Sequence, residues 1–160
     1  MKTSLVGRIA LLILLVAGCD RAHRVATRPT VYGDPSAIVT TLTASASELT
    51  PGGSCTVHVH SVNPTRLPIR VSFTSSCYQT FLVFQGQQVA GDLTRACALL
   101  APTETLDPGE AFDWEYAWDG TLVDQGKLVV LAPGDYQLVG KLITPGAPVS
   151  APVTIRILAP

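Results

Sequence analysis

The stretch Phe112-Asp-Trp-Glu-Tyr-Ala-Trp118 decides the fold. Aromatic residues occupy every second position, and Asp113, Glu115 and Ala117 stand between them. A period of two with one apolar face is typical of a β-strand that packs on a core from one side. The aromatic row could instead be a platform for a carbohydrate or a peptide, but its alternation with acids favours a core position.

The same alternation appears in two earlier stretches of the chain. Apolar residues at positions 55, 57 and 59 alternate with polar ones, as do those at 69, 71 and 73. No sustained 3.6-residue period follows residue 20, and 13 Gly and 12 Pro interrupt the chain. The sequence therefore predicts an all-β protein, an immunoglobulin-like antiparallel β-sandwich of about seven or eight strands.

One turn motif recurs between the predicted strands, as Leu49-Thr-Pro-Gly52, Leu106-Asp-Pro-Gly109 and Leu131-Ala-Pro-Gly134. Proline presets φ at the second turn position, and glycine accepts the positive φ of the third. The segments between the copies differ in length and pattern, which indicates repeated turn chemistry and not an internal structural repeat. We expect the leading leucine of each copy to close the edge of the core.

Composition limits the function classes. The chain has 160 residues, about one domain, with 47% apolar and 14% charged residues. These values exclude a disordered protein and a protein that coats nucleic acid. The formal net charge of −1 gives no reason to expect a nucleic-acid partner.

The N-terminal segment has the layout of a secretory signal. Lys2 and Arg8 precede an apolar run from Ile9 to Ala17, which is too short to span a bilayer. The ending Val16-Ala17-Gly18-Cys19 resembles the lipobox of bacterial lipoproteins, in which lipid is attached to the cysteine and the preceding peptide is removed. This resemblance implies a signal peptide at 1–18, with acylated Cys19 holding the protein to the lipid bilayer. The alternative is an ordinary signal peptide with an incidental cysteine.

The predicted location follows from this anchor. We expect a protein of the bacterial cell envelope, lipid-anchored to the membrane and facing the periplasm or the exterior. Residues 20–36 lack an apolar period and contain Arg28-Pro29 and Asp34-Pro35, which indicates a flexible tether. The predicted organisation is therefore signal peptide 1–18, anchor and tether 19–37, and sandwich domain 38–160.

The order of several short motifs resembles the intracellular proteinase inhibitor (BsuPI) domain over roughly residues 40–158. The motifs are Leu49-x-Pro-Gly52, Asn63-Pro-Thr65, Leu106-x-Pro-Gly-Glu110, Trp118-Asp-Gly120 and Leu131-x-Pro-Gly-Asp-Tyr136. The resemblance implies an immunoglobulin-like sandwich and inhibition of a bacterial serine protease. The chain departs from that family because it carries an export signal and an extra cysteine pair.

Three cysteines remain after Cys19, and an oxidising compartment favours a disulfide between two of them. Cys55 is in phase with buried strand positions, which indicates a reduced core residue. Cys77 and Cys97 bracket a hairpin predicted at Gln79 to Val89 with its turn at Gln85-Gly86. We predict a Cys77–Cys97 disulfide with a structural role, because the chain has no Cys-x-x-Cys motif.

Metal and catalytic sites find little support in the sequence. His58 and His60 could present two imidazoles to zinc, but the only other histidine, His23, lies in the tether. There is no Gly-x-Ser-x-Gly elbow and no phosphate-binding loop. Asp119 and Asp124 could pair as glycosidase acids, although Trp-Asp-Gly is an adequate turn. We predict no metal, no cofactor, no catalytic residue and no enzymatic activity.

Two functions remain as hypotheses. The first is a membrane-anchored, non-catalytic, immunoglobulin-like protein-binding module; the family resemblance makes it a proteinase inhibitor whose partner is a serine protease. The alternative is a structural or accessory lipoprotein of an envelope assembly. An inhibitor needs an exposed rigid loop, and Thr121 to Gln125 or Gln85 to Asp92 is the candidate segment. The sequence does not select the partner-binding residues.

Overall fold

The computed structural model describes residues 30–92, 97–124 and 126–160. These residues form twelve strands and one short 3-10 helix at Pro35–Ala37. The predicted signal peptide, residues 1–18, and the predicted lipidation site, Cys19, lie outside the described residues. The strands are β1 Val39–Ala44, β2 Glu48–Leu49, β3 Cys55–Val62, β4 Ile69–Ser72, β5 Gln79–Gln85, β6 Gln88–Asp92, β7 Thr103–Leu106, β8 Ala111–Trp118, β9 Thr121–Asp124, β10 Lys127–Val130, β11 Gly134–Leu142 and β12 Val153–Ile157.

The described strands form three sheets. One has the order β1-β3-β8, one has the order β10-β9-β6-β5-β11-β12-β2, and the third is the pair β4-β7. Adjacent strands run antiparallel, except that β2 lies parallel to β12. The predicted all-β sandwich is confirmed.

The main core lies between the three-stranded and seven-stranded sheets. Its members come from both sheets because each strand turns one set of alternate residues inward. The aromatic row of β8 follows this rule: Trp118 is buried, Trp114 and Tyr116 are half-buried against the core, and the intervening residues are exposed. Other buried members are Leu42, Leu49, Cys55, Val57, Val59, Phe81, Val83, Leu122, Tyr136, Leu138, Ile155 and Ile157.

A second, smaller core lies under the β4-β7 pair. It contains six buried apolar side chains and is bordered by half-buried Tyr78 and Phe112. The rings of Phe73 and Tyr78 stack with centroids 4.3 Å apart, and Phe112 meets both edge-on. The buried members are Ile38, Ile69, Val71, Phe73, Leu106 and Leu142.

The described chain contains more strands than the seven or eight expected. Four of the twelve, β2, β7, β9 and β10, have only two to four residues and lie outside the alternating stretches that predict strands. A run of this length gives at most two periods of alternation, which the sequence pattern does not separate from a turn. The difference therefore lies in short edge and hairpin strands and not in the class of fold.

Residues 33–37, which the sequence assigns to the tether, contact the domain. The Gly33 N–H donates to the Pro68 carbonyl at 2.9 Å, and Asp34 caps the 3-10 helix by accepting from the Ser36 N–H. Ile38 follows directly and is buried in the second core. This segment brings the chain onto the sandwich before β1 begins.

The Leu-x-Pro-Gly turns place leucines in the core. Leu49 and Leu106 are buried and Leu131 is half-buried. Gly52 and Gly109 have φ of 75° and 81°, which a glycine adopts without steric cost. In the third copy the glycine is already the first residue of β11.

Tyr136 makes a contact typical of immunoglobulin-like sandwiches. Its ring is buried at the start of β11, and its hydroxyl donates to the Ala132 carbonyl at 2.9 Å. A tyrosine that bonds the backbone a few residues upstream, at the corner leading into this strand, is the tyrosine corner of that fold. The last Leu-x-Pro-Gly turn is thereby fixed to the core.

Candidate functional site

A pocket of about 230 Å³ opens at one end of the sandwich, and we call it the end pocket. Two of the Leu-x-Pro-Gly turns and the Trp-Asp-Gly turn meet there. Asp119 is the one charged residue among those that line it, so the wall is largely apolar. The lining residues are Leu49, Thr50, Pro51, Gly52, Asp119, Gly120, Val130, Leu131, Pro133, Ile157, Leu158 and Pro160.

Asp119 has an evident structural role in this wall. Its Oδ1 accepts hydrogen bonds from the N–H and the hydroxyl of Thr121, at 3.1 and 2.6 Å. The indole of Trp118 donates to the Thr121 carbonyl at 2.7 Å and fixes the same turn. The expectation that Trp-Asp-Gly is a turn is confirmed, and Asp119 is held as its cap.

The hairpin β9-β10 lies beside the end pocket. All four residues of β10 are exposed, and Leu128 and Val130 reach 73% and 75% exposure. Val130 also lines the end pocket. Large apolar side chains in a row on a sheet edge are uncommon in monomeric domains and mark surfaces that bind other chains.

The two segments expected to be exposed loops lie largely in strands, and of the second only the turn at 86–87 lies outside one. Thr121–Asp124 is strand β9, paired with β10, and Gln88–Asp92 is strand β6, paired with β5. The reason is backbone pairing, which places each segment within the seven-stranded sheet. The hairpin predicted at Gln79 to Val89 is confirmed, although its second strand continues to residue 92.

The two strand histidines share one carboxylate. His60 Nδ1 lies 2.8 Å and His58 Nε2 lies 3.0 Å from the same oxygen, Oδ1 of Asp113 on β8. These hydrogen bonds, that from His60 first, hold the pKa of Asp113 below its ordinary value of 3.8. The carboxylate accepts from both rings, so each of these ring nitrogens carries a hydrogen.

These three side chains form a hydrogen-bonded cluster on the outer face of the three-stranded sheet. All three side chains are at least one-third exposed. Across the described residues, no three or more His, Cys, Asp or Glu side chains are grouped so that they could hold a metal ion. The hydrogen bonds of the two imidazoles in that part of the chain go to Asp113, and none joins them to a serine or a cysteine.

Cys77 and Cys97 form a disulfide, as the sequence predicts. It joins the residues that flank the β5-β6 hairpin, with a sequence separation of 20. Cys55 is free and buried in the main core, also as predicted, and burial raises the pKa of its thiol. A disulfide of this kind indicates an extracytoplasmic compartment.

Within residues 30–92, 97–124 and 126–160, no helix is long and apolar enough to cross a bilayer. The anchor predicted at Cys19 lies outside these residues.

The sequence patterns missed the residues that distinguish the end pocket and its neighbouring strand. Leu128 and Val130 belong to a continuous run of five apolar residues, 128–132, whereas the stretches that predict strands at 55–59, 69–73 and 112–118 alternate. The run breaks the two-residue period, so alternation does not predict a strand there. A continuous apolar run of this kind can, however, indicate an apolar surface patch. The joining of the turns into one pocket depends on topology, which spacing does not reveal.

Comparisons with known proteins yield structural similarity alone. No protein-family model matches the chain, and no curated protein matches it. A β-glucosidase from Erythrobacter marinus matches with 15% identity and a TM-score of 0.46, over 76% of this chain and 15% of its own. A β-glucosidase from Listeria innocua in complex with glucose matches with 16% identity and a TM-score of 0.40, over 76% and 16%.

The sporulation control protein Spo0M from Bacillus subtilis matches with 15% identity and a TM-score of 0.44, over 77% of this chain and 50% of its own. The chain thus spans half of Spo0M and about a sixth of each β-glucosidase. Similarity at this level carries no functional conclusion for this chain.

Proposed function

We propose that this chain is a lipid-anchored, non-catalytic protein-binding module of the bacterial cell envelope. The observation that carries the proposal is the contact between the end pocket and the exposed apolar strand β10. Together they offer a partner a concave apolar anchor site and a flat apolar rim on one side of the sandwich. Binding by a rigid scaffold limits the conformational entropy lost on association.

The envelope part of the proposal rests on two features. The lipobox resemblance at Cys19 supplies the anchor, and the disulfide agrees with a domain that matures outside the cytoplasm. Changing Cys19→Ala should release the protein from membranes. Retention of that variant in the membrane fraction after a high-salt wash would refute the anchor.

The absence of catalysis is proposed from the chemistry of the described side chains. The histidines are paired with Asp113, Asp119 caps a turn, and the free thiol of Cys55 is buried. Asp119 lines the end pocket, but its carboxylate is taken up by the N–H and the hydroxyl of Thr121 within the turn. The two histidines and Cys55 are not among the residues that line the end pocket.

Site-specific photo-crosslinking in native membranes tests the binding surface. A photoreactive side chain at Leu128 should crosslink one discrete protein, and the same group at Thr41, exposed on the outer face of β1, should not. The identified protein, once purified, should bind the purified full chain, and Val130→Asp should weaken binding at least about tenfold. Equal crosslinking from both positions would refute this surface.

The proteinase-inhibitor form of the proposal draws on the family resemblance. It requires the purified full chain to slow a subtilisin-like serine protease at stoichiometric concentration while remaining intact. The alternative, an accessory lipoprotein of an envelope assembly, requires the crosslinked partner to be a subunit of such an assembly. A panel of serine proteases and the identity of the crosslinked partner decide between the two.

A further inference from the structure

Strand β10 is the outermost strand of the seven-stranded sheet, and it pairs only with β9 among the described strands. The Leu131 N–H donates to the Gly120 carbonyl at 3.0 Å. In an antiparallel ladder hydrogen-bonded pairs alternate with non-bonded ones, so Val129 and Lys127 also bond inward to β9. Leu128 and Val130 therefore point their backbone N–H and C=O groups away from the sheet.

The outward-pointing residues are also the most exposed ones of this strand. Leu128 and Val130 place their side chains on the outer face of the sheet, because their neighbour Val129 pairs with buried Leu122. Within the described part of the chain, backbone donors and acceptors without a ladder partner thus coincide with large exposed apolar side chains. This combination is the template that strand addition uses.

The other long edge strands carry protection that β10 lacks. On β8 the outward side chains are Asp113, Glu115 and Ala117, and on β1 they are Val39, Thr41 and Thr43. Charged and polar residues on an edge discourage further pairing. In β10 the sole such residue is Lys127, at the end away from the end pocket.

Resting on the proposed function, we infer that the partner binds as an extended strand added to the outer edge of β10, with one apolar side chain in the end pocket. Val130 connects the two parts of this site, since it ends β10 and lines the end pocket. A strand that pairs with Leu128 and Val130 and continues past residue 130 reaches the end pocket directly. The partner is thus an extended polypeptide segment with a large apolar residue and no proline in the paired stretch.

A second copy of this chain fits the edge less well. Two β10 strands could pair over at most four residues, the length of this strand. Such pairing would also leave the end pocket unfilled. A peptide segment uses both the edge and the end pocket, so it is the occupant we assign.

The experiment uses the full chain in detergent and a displayed library of random dodecapeptides as the probe. Selected peptides should carry a large apolar residue and no proline in the bound stretch. Leu128→Pro removes one outward N–H without touching the β9 ladder and should weaken binding by about fivefold to tenfold, the effect of one backbone hydrogen bond. The matched control Leu128→Ala keeps that N–H and should lose less.

Amide hydrogen exchange gives a second readout that does not depend on the variants. The N–H groups of Leu128 and Val130 should exchange fast in the free chain and slowly with a selected peptide bound. Equal peptide binding by Leu128→Pro and Leu128→Ala, unchanged exchange at Val130, or a library without binders would overturn the inference. If the crosslink from Leu128 persists in any of these cases, the proposed function stands and only strand addition fails.

Discussion

His60 and Asp113 face each other directly across the β3-β8 pair, with Nδ1 and Oδ1 2.8 Å apart. His58 lies two residues before His60 on β3, with inward-facing Val59 between them. It bonds the same oxygen diagonally. The two strands that flank the main core are therefore joined on their outer face by a shared carboxylate.

This pairing makes stability depend on pH at the acid end. The His60 and His58 hydrogen bonds lower the pKa of Asp113, so its contribution is present above the unfolded value near 3.8 and is lost as pH falls through the lower folded value. We expect Asp113→Asn to lose about 0.2–1 kcal/mol near pH 6, as exposed ion pairs do, and to match the wild type near pH 2. Urea unfolding at both pH values measures this difference.

Glu115→Gln provides the control, because Glu115 is an exposed acid on the same strand. It should change stability less than Asp113→Asn near pH 6. A deficit of Asp113→Asn that is as large near pH 2 would show that the carboxylate charge is not its cause.

Asn63 is the polar residue on which the ends of several strands depend. It is fully buried, its amide donates to the Leu67 and Leu106 carbonyls, and its oxygen accepts from the N–H and hydroxyl of Thr65. Asn63→Ala should cost about 2–4 kcal/mol, because buried partners lose their hydrogen bonds. Denaturant unfolding checks this value.

Thr65→Val separates the parts of that network. It removes the hydroxyl that donates to the Asn63 oxygen and that also bonds the N–H and the carbonyl of Leu67. Both bonds that Asn63 donates stay in place, so it should cost less than Asn63→Ala. Equal losses in the two variants would argue against the amide as the central group.

The Cys77–Cys97 disulfide should stabilise the domain through its unfolded state. A closed loop of about 20 residues corresponds to roughly 3 kcal/mol in the chain-entropy description. The double variant Cys77→Ser with Cys97→Ser should lose about that amount, and a reductant should destabilise the wild type but not the variant. Cys55 should stay unlabelled by a thiol reagent in the folded protein, since its side chain is buried; rapid labelling under native conditions would contradict this packing.

Gly140 on β11 packs against side chains of the three-stranded sheet. A Cβ there would lie 3.2 Å from both the Leu42 Cβ and the Val59 Cγ1. Gly140→Ala should therefore cost about 1–3 kcal/mol by overpacking. Gly86→Asn is the control, because nothing lies within 4 Å of that position and asparagine tolerates its φ of 62°; thermal unfolding should separate the two clearly.

Local patterns predicted the strands that carry the core. The alternation in β3 and β8, the burial of Trp118 and the reduced state of Cys55 follow from a two-residue period. The Cys77–Cys97 pairing followed from compartment and elimination, and the structure agrees. These features depend on residues near one another in sequence or on simple chemistry.

What the sequence did not predict depends on contacts between distant segments. The end pocket forms because turns near residues 51, 120 and 133 meet, and Asp113 joins the histidines because β8 pairs with β3 in a particular register. Shifting that register by one residue would turn Asp113 to the other face of the sheet. Neither result is readable from spacing along the chain.

The position of β11 between β5 and β12 has a consequence for the order of folding. Leu138 pairs with Val83 on one side and Val153 on the other, so the middle of the sheet needs a strand from far upstream and one from downstream. Hairpins such as β5-β6 and β9-β10 close short loops and can form early. Pairing of β5 with β11 closes a long loop, and the entropy lost in closing it is offset only after the two strands have packed. We expect refolding followed by tryptophan fluorescence to be slow for a domain of this size, with burial of Trp118 coinciding with the joining of β5 and β11.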